Sequence, residues 1–554
     1  MNDGAAGKQA RAPKKAPAPA QPALLAGFDE ETYLRLNPDV LVAVAEGKFR
    51  SGREHYEHYG RAEGRLAVAP SGLPRDRIII TAPPGQAEEA PHAPPGAVDA
   101  VRLSTSGGLY ITGWVNDFLD RLEAVELYVA GWSTAFSAAG LARVRRPDAE
   151  KVVGLHMPHA LGFWGFIYAA RRLPVGKCNV VMRMKSGAEL SLIVDVEPAD
   201  DIELRGVMLN QIASAHYMGP AYFNAVAAIG RAVGPQLVGF SRMLTQRAVS
   251  SPYVERFHQG QRALKASVIV CLYGKPEYLT LQQGLFARQA GAADYEFIYV
   301  CNSQALAEIL LREAAIAHLI HGLDITLVLL GANAGFAAAN NLGATYARTQ
   351  RLVFMNPDVF PKGPDFAQRH LALVEELPGE RTDICGAALY YDDGSLMHAG
   401  MYFETDTLPG FTFGQAEDVS VLRVEHYGKG APPGDAALLR PRLVPAVTGA
   451  FISANRAWFE TLQGFSKDYI FGHYEDADLC LRSLEAGRAA WLADLRLYHL
   501  EGKGSTRQPV HEGASAVNRW LFTRNWLALV NASLRGPAPS HEALAQQALA
   551  EAKR

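Results

Sequence analysis

The sequence predicts an α/β protein: a doubly wound domain in the C-terminal half, preceded by a β-sandwich-like domain and a small helical module. Three observations carry this. From Ala266 onward, continuous apolar runs alternate with helical stretches, as strands buried on both faces and their crossover helices require. Between Val98 and Ala199, short β-branched runs are separated by turns rich in Gly, Asp and Pro, the pattern of a sandwich. Tyr33, Leu34, Val40, Leu41 and Val44 recur at helical spacing.

Length and composition bound the answer. A chain of 554 residues exceeds one hydrophobic core, and about 150 residues per domain suggests roughly three or four units. Apolar residues make up 49% and charged residues 20%, ordinary for a globular protein. The net charge of −3 provides no global basic field, so no nucleic-acid partner is expected. Five cysteines lie far apart without a C-x-x-C pair; four of them sit in hydrophobic surroundings and read as small core residues of a reducing compartment. No apolar run reaches the roughly 18 residues of a membrane span, and Met1 to Pro22 lacks the apolar core of a secretory signal. Cytoplasmic residence without a transmembrane segment is therefore expected, and peripheral membrane contact is compatible with it.

The elements follow in order. Residues 1–26, rich in Ala, Pro and Lys, read as a disordered basic arm. In 27–66, Asp29-Glu30-Glu31 opens a helix where acids favour the dipole, and a second short helix carries His55, Tyr56 and Tyr59 up to Gly60. Residues 67–97 have linker composition. The sandwich spans 98–199. Residues 200–265 read as a helical connector with a stripe of Met208, Ile212, Tyr222, Val226 and Ile229. The doubly wound domain spans 266–530, and 531–554 form a helical tail.

Within 266–530, a strand from Ser267 to Leu272 ends at Tyr273-Gly274-Lys275-Pro276. The next, Tyr295 to Val300, ends at Cys301-Asn302-Ser303. The third, Asp324 to Leu330, ends at Gly331-Ala332-Asn333-Ala334-Gly335, and the fourth, Arg351 to Met355, ends at Asn356-Pro357-Asp358. Ligands of doubly wound sheets bind beyond the carboxyl ends of the strands, where all these polar clusters fall. Downstream, Glu475, Asp476 and Asp478 open a helical pattern, where acids also satisfy free backbone N–H groups, and His499 follows the apolar run Trp491 to Leu497.

Six motifs in order give a resemblance: SVIVCLYGKPEYL, GANAGFAAANNLGA, LVFMNPDVFP, VTGAFISANRAWFETLQGF, HYEDADLCLR and LYHLEGKGS. Together they resemble family 2 glycosyltransferases of the GT-A fold over about 260 residues. YLRLNPDV with HYEHYGRAEGR resembles a small module appended to bacterial glycosyltransferases and methyltransferases. Gly113-Trp114-Val115 and Gly162-Phe163-Trp164-Gly165-Phe166 resemble an accessory β-domain that precedes some members. Tryptophans exposed there could stack on sugar, whereas a Trp inside a sandwich is usually core.

The resemblance implies a role for each cluster. Asn356-Pro357-Asp358 stands where the family carries D-x-D, so Asp358 would bind a divalent cation (Mg2+ or Mn2+) on the donor diphosphate, with Asn356 supporting it. Mg2+ needs only one or two carboxylates; N-P-D alone is equally good turn chemistry. Asp476 matches the base that deprotonates the acceptor hydroxyl, with Glu475 beside it, and His499 matches a histidine that often completes the metal site. A single base without an enzymic nucleophile implies inversion. Tyr273, Glu277, Asn302, Asn333, Gly335, Asn340 and Gly449 would line the donor pocket. One departure is Cys301, where the family often has a base-contacting Asp. His398 is within reach of the site or structural.

The partners so implied are a nucleoside-diphosphate sugar donor and a glycan, lipid-linked glycan or protein acceptor. The competing reading is a non-catalytic glycan or sugar-nucleotide binding scaffold on the same fold, which would not need Asp476. A Rossmann oxidoreductase is disfavoured because Gly331 and Gly335 do not form G-x-G-x-x-G after the first strand. A processive synthase would carry Q-x-x-R-W, and Ala516 stands three residues before Arg519-Trp520. Donor specificity is expected to depend on Gly449 and on the stretch from Tyr402 to Arg440.

Overall fold

The computed structural model describes residues 28–61 in part and residues 95–534 apart from 130, 156–158, 215–225, 227–228, 259, 261, 378, 409–418 and 501–507. The arm, nearly all of the linker and most of the C-terminal tail lie outside the described residues. Among the described residues, no helix is long and apolar enough to cross a membrane.

The helical module closes on a small core of Tyr33, Val40 and Val44. Tyr33 and His55 are both buried, and the tyrosine hydroxyl lies 3.0 Å from His55 Nδ1. Pairing a hydroxyl with an imidazole removes the cost of burying either alone.

Eight strands follow: β1 (Gly96–Ser104), β2 (Gly108–Val115), β3 (Leu122–Val129), β4 (Trp132–Ser137), β5 (Ala142–Val144), β6 (Gly162–Tyr168), β7 (Lys177–Met184) and β8 (Glu189–Ala199). Their order is β4-β3-β7-β8-β1-β2-β6-β5. β8 pairs antiparallel with β7 as far as Asp195, and from Val196 it runs parallel to β1. One strand thus serves two layers, and Val101, Ile111, Val125, Leu127, Phe163 and Val180 fill the space between them. Trp164 is buried against the helices that follow, in one cluster with Tyr110, Leu204 and Phe240. It is core, and it is not available to stack on sugar.

Those helices are α1 (Asp201–Ser214) and α2 (Gly234–Val249). The expected helical connector also contains a strand, β9 (Tyr253–Phe257), which pairs antiparallel with the third strand of the large sheet. Its β-branched and aromatic residues suit an edge position, and this pairing outweighed the helical pattern before it.

The large sheet is mixed. Its parallel centre comprises β10 (Ala266–Leu272), β11 (Tyr295–Cys301), β12 (Asp324–Leu329) and β13 (Arg351–Met355), linked by α3 (Glu277–Phe286), α4 (Ala307–His321) and α5 (Gly335–Tyr346). The spatial order is β13-β10-β11-β12, so the direction of winding reverses between β10 and β13. Val268, Val270 and Leu272 face one core while Ile269 faces the other, the period-two burial of a strand covered on both sides.

Beyond β13 the sheet is extended by β14 (Val359–Pro361), β15 (Ile384–Tyr390), β16 (Leu396–His398), a separate hairpin β17–β18 (Met401–Leu408, Val419–His426), then β19 (Arg442–Val444), β20 (Phe451–Asn455) and β21 (Ala490–His499). Among the helices of this half, α6 (Glu475–Glu485) lies before β21 and α7 (Pro509–Leu529) after it.

α7 packs along α1 at close range: a Cβ on Gly513 would stand 2.0 Å from the carbonyl oxygen of Leu209. Nothing larger than glycine fits without moving a backbone. Gly513→Ala should therefore destabilise the protein by about 1–3 kcal/mol, the range of overpacked sites, read as a lower urea midpoint. An unchanged midpoint would show that the helices do not approach this closely.

Candidate active site

A cavity of about 560 Å³ opens beyond the carboxyl ends of the strands, at the reversal between β10 and β13. Its wall includes Tyr273 after β10, Asn302 after β11, Asn333 before α5, Asn356 and Asp358 after β13, Gly449 before β20, and Glu475, Asp476 and His499. Residues far apart in sequence meet here because most of them stand at the ends of strands of one sheet, while Glu475 and Asp476 open the helix before its last strand.

Asp358 and His499 are brought together by a β ladder. β14 runs antiparallel to β21 with Val359 opposite His499, and the Leu500 N–H donates to the Asp358 carbonyl at 3.1 Å. The Asp358 carboxylate then lies 3.4 Å from His499 Nε2, both groups almost fully buried. His499 Nδ1 faces Met397 Sδ at 3.4 Å, which leaves Nε2 directed at the carboxylate. One carboxylate oxygen and one imidazole nitrogen form a donor set that Mg2+ or Mn2+ accepts. No group of three or more such side chains able to hold a metal occurs among the described residues. The pair therefore fits a cation whose remaining ligands come from phosphate and water, and Glu501 of the LYHLEGKGS motif lies outside the described residues.

Glu475 and Asp476 open α6, and the loop before them is strained. Phe471, His473 and Tyr474 all have φ between 61° and 80°, the left-handed region that costs a side-chain-bearing residue about 1–2 kcal/mol. Several contacts hold it. Asn518 of α7, fully buried, accepts from the Ile470 N–H at 2.8 Å and donates to the carbonyls of Ile470 and Gly472 at 3.0 and 2.7 Å. The Phe336 N–H donates to the Phe471 carbonyl at 2.5 Å. The Arg205 guanidinium of α1 lies 4.6 Å from the centre of the Phe471 ring, and burial lowers its pKa to about 10.

The two acids then take different environments. Asp476 is half-buried and accepts the Gly449 N–H at 2.7 Å. A Cβ on Gly449 would lie 3.2 Å from Asp476 Cβ, so glycine permits this approach. Glu475 is buried, and its Oε2 has no protein hydrogen-bond partner. Burial first, and the neighbouring Asp476 second, push its carboxyl well above the usual range. Asp478, by contrast, is an anchor, bonded to Tyr469 at 3.1 Å, Trp526 at 2.9 Å and Arg482 at 2.8 Å.

Three sequence-predicted pocket residues stand outside the cavity wall. Glu277 is exposed in the first turn of α3. Asn340 is fully buried and donates to the Phe336 carbonyl at 3.0 Å, one turn earlier in the same helix. Gly335, with φ of 78°, is where α5 begins against Phe471; the side chain of Asn333 caps its N–H at 2.8 Å. The wall also contains residues the sequence did not single out for it: Phe471, Tyr474, His473, His426, His511 and Ser515. His511 and Ser515 lie on α7 and His426 ends the β17–β18 hairpin, so their proximity is purely tertiary. The hairpin does belong to the stretch from Tyr402 to Arg440 marked for specificity.

No protein-family model matches the sequence. Over 199 residues it is 27% identical to the uncharacterized protein y4gI of Sinorhizobium fredii (strain NBRC 101917 / NGR234), covering 34% of this chain and 20% of that protein. The chain thus spans about a fifth of that relative's length. Among solved structures it is similar to the mannosyltransferase PcManGT from Pyrobaculum calidifontis in complex with GDP-Man and Mn2+ (TM-score 0.30, 16% identity, 62% of this chain and 92% of that one). It is also similar to GalNAc-T7 with UDP, GalNAc and Mn2+ (0.33, 14%, 60% and 64%), and to S. aureus TarS 1-349 (0.29, 12%, 49% and 76%). Scores this low carry no weight for the fold, which rests on the strand order above.

The environment of Glu475 has a thermodynamic consequence. Its carboxyl titrates near 4.5 in an ordinary setting and well above that when folded, so the folded state holds the proton longer. The associated stability is complete below the unfolded value and is lost as pH rises through the folded one. Glu475→Gln removes that loss. Urea titrations from about pH 5 to pH 9 should show the variant gaining on the wild type as pH rises; parallel curves would mean that the folded carboxyl titrates normally.

Proposed function

We propose that residues 266–530 form a metal-dependent, inverting glycosyltransferase domain of the GT-A type, akin to family 2. It would move a sugar from a nucleoside-diphosphate donor to a hydroxyl of a glycan or other acceptor. The observation that carries the reading is one cavity holding both the Asp358–His499 pair and the Asp476 carboxylate. A leaving group that needs charge neutralised and a nucleophile that needs a proton removed are served from a single space.

The residues divide the work. Asp358 and His499 would hold the cation, which when bound withdraws charge from the diphosphate. Asn302, Asn333 and Tyr273 offer amide and hydroxyl groups to the nucleotide. Asp476 would accept the proton of the acceptor hydroxyl as its oxygen bonds to the anomeric carbon and the bond from that carbon to phosphate breaks. The nucleoside diphosphate leaves with the bonding pair, and attack from the opposite face inverts the centre. The Gly449 N–H fixes the carboxylate's direction, while burial and the neighbouring Asp476 favour the neutral form of Glu475.

Thermal-shift screening against UDP-, GDP- and dTDP-sugars with and without Mn2+ tests the donor class, because a bound ligand raises the melting temperature. Asp476→Asn should reduce sugar transfer by at least about 100-fold, the lower range for a lost general base, with donor affinity nearly unchanged. Transfer at a comparable rate would remove the base assignment. Asp358→Ala should weaken Mn2+-dependent binding of the nucleoside diphosphate in calorimetry and leave metal-free binding as it was. Binding that never depends on metal, in either protein, counts against the pair.

A further inference from the structure

A second cavity, of about 470 Å³, opens where Gly230 and Arg231 meet β18 and α7. α7 serves both cavities. His511 and Ser515 line the first, and Trp520, Thr523 and Arg524 line the second. At about 100° per residue these two sets fall on opposite sides of the helix. The second cavity is therefore separate from the catalytic one, and the proposed reaction does not use it.

Its apolar part is built around an indole. Trp520 is half-buried and lies on the backbone at Gly230 and Gly234, where a Cβ would stand 1.7 Å from its Nε1 and 2.8 Å from its Cζ3. Only glycine at both positions lets the ring come so close. Val226 and Val421 share the indole's apolar cluster.

The polar part is a set of donors without a counter-charge. Arg231 and Arg524 are exposed, and neither has an ion pair or hydrogen bond among the described residues. Arg524 stands 5.7 Å from the centre of the Trp520 ring. Arg519, earlier on the same helix, is by contrast paired with Asp406 at 2.9 Å. The Trp520 N–H has no acceptor among the described residues. Thr523 Oγ1 accepts the Leu422 N–H at 3.0 Å, which leaves its own proton to donate. No Asp or Glu lines the cavity among the described residues.

Two guanidinium groups, an indole N–H and a hydroxyl, with no acid among them, select an anion. Arginine forks match carboxylate and phosphate, and an indole flanked by valines takes the apolar face of a ring. We infer that this cavity is a second sugar site, for a ring that carries a carboxylate or a phosphate. It holds an acidic unit of a glycan away from the reacting hydroxyl. The anion follows from the wall; the choice of a sugar as its carrier rests on the proposed function.

The test uses the full chain labelled with 15N-tryptophan. Seven tryptophans give few enough indole signals to assign, Trp520 by Trp520→Phe. At fixed ionic strength, glucuronate and glucose 6-phosphate should shift the Trp520 N–H signal to saturation, and glucose should not. A response to only one of the two acids assigns the carboxylate or the phosphate. Arg231→Gln and Arg524→Gln should each weaken the response by about 10-fold, as for one lost charged hydrogen bond. Asp358→Ala should titrate as the wild type does; a lost response there would place the ligand in the catalytic cavity and overturn a separate site. No saturating shift, an equal response to glucose, or wild-type affinity in both arginine variants overturns the anion. Acetate and inorganic phosphate acting at the same concentrations as the sugars overturn the ring. If no nucleotide sugar raises the melting temperature, the proposed function falls, while the Trp520 titration still decides this site.

Discussion

The side-chain amide of Asn518 holds the loop on which the acidic end of the site depends. Three bonds from one buried amide fix Ile470 and Gly472, and they offset a run of left-handed residues that would otherwise relax. The loop delivers Glu475 and Asp476 to the first turn of α6, directed at the cavity. Because Asn518 lies on α7 and α7 lies flush on α1 at Gly513, the position of the carboxylates is set by helices that contain none of them.

This arrangement explains why α1 and α2 each bury part of their surface. Tyr110 and Trp164 of the sandwich, Leu204 and Phe240 of α1 and α2, and Val517 and Phe522 of α7 belong to one apolar cluster. The sandwich is thus packed into the support of the site through those helices. Arg205 extends the same support, placing a desolvated guanidinium over the ring of Phe471, where cation–π attraction is strongest.

Three neighbouring acids on α6 show how environment divides one chemistry. Asp478 is saturated with donors and serves packing. Glu475 is buried with one oxygen unpartnered and is driven toward its neutral form. Asp476, half-exposed, accepts a backbone N–H on each oxygen, from Gly449 and from Ala477, and lines the cavity. The histidines divide likewise: His499 faces Asp358, while His398 is fully buried against His426.

The parallel centre of the sheet was legible in the sequence because a strand buried on both faces must be a continuous apolar run, as Ser267 to Leu272 and Tyr295 to Val300 are. Asn302, Asn333, Asn356 and Asp358 could be placed at strand ends for the same reason, and the topology then brings them together. Asn340 and Glu277 could not be sorted, since the sequence gives a helix but not which of its faces meets the cavity. β9 was missed because its strand character comes from pairing with β12, a partner far along the chain. His426, His511, Phe471 and Asn518 carry no local signal at all. Local chemistry and periodicity determine which residues can be strand, turn or ligand; only long-range packing, through the β14–β21 ladder and the α1–α7 contact, decides which of them share a space.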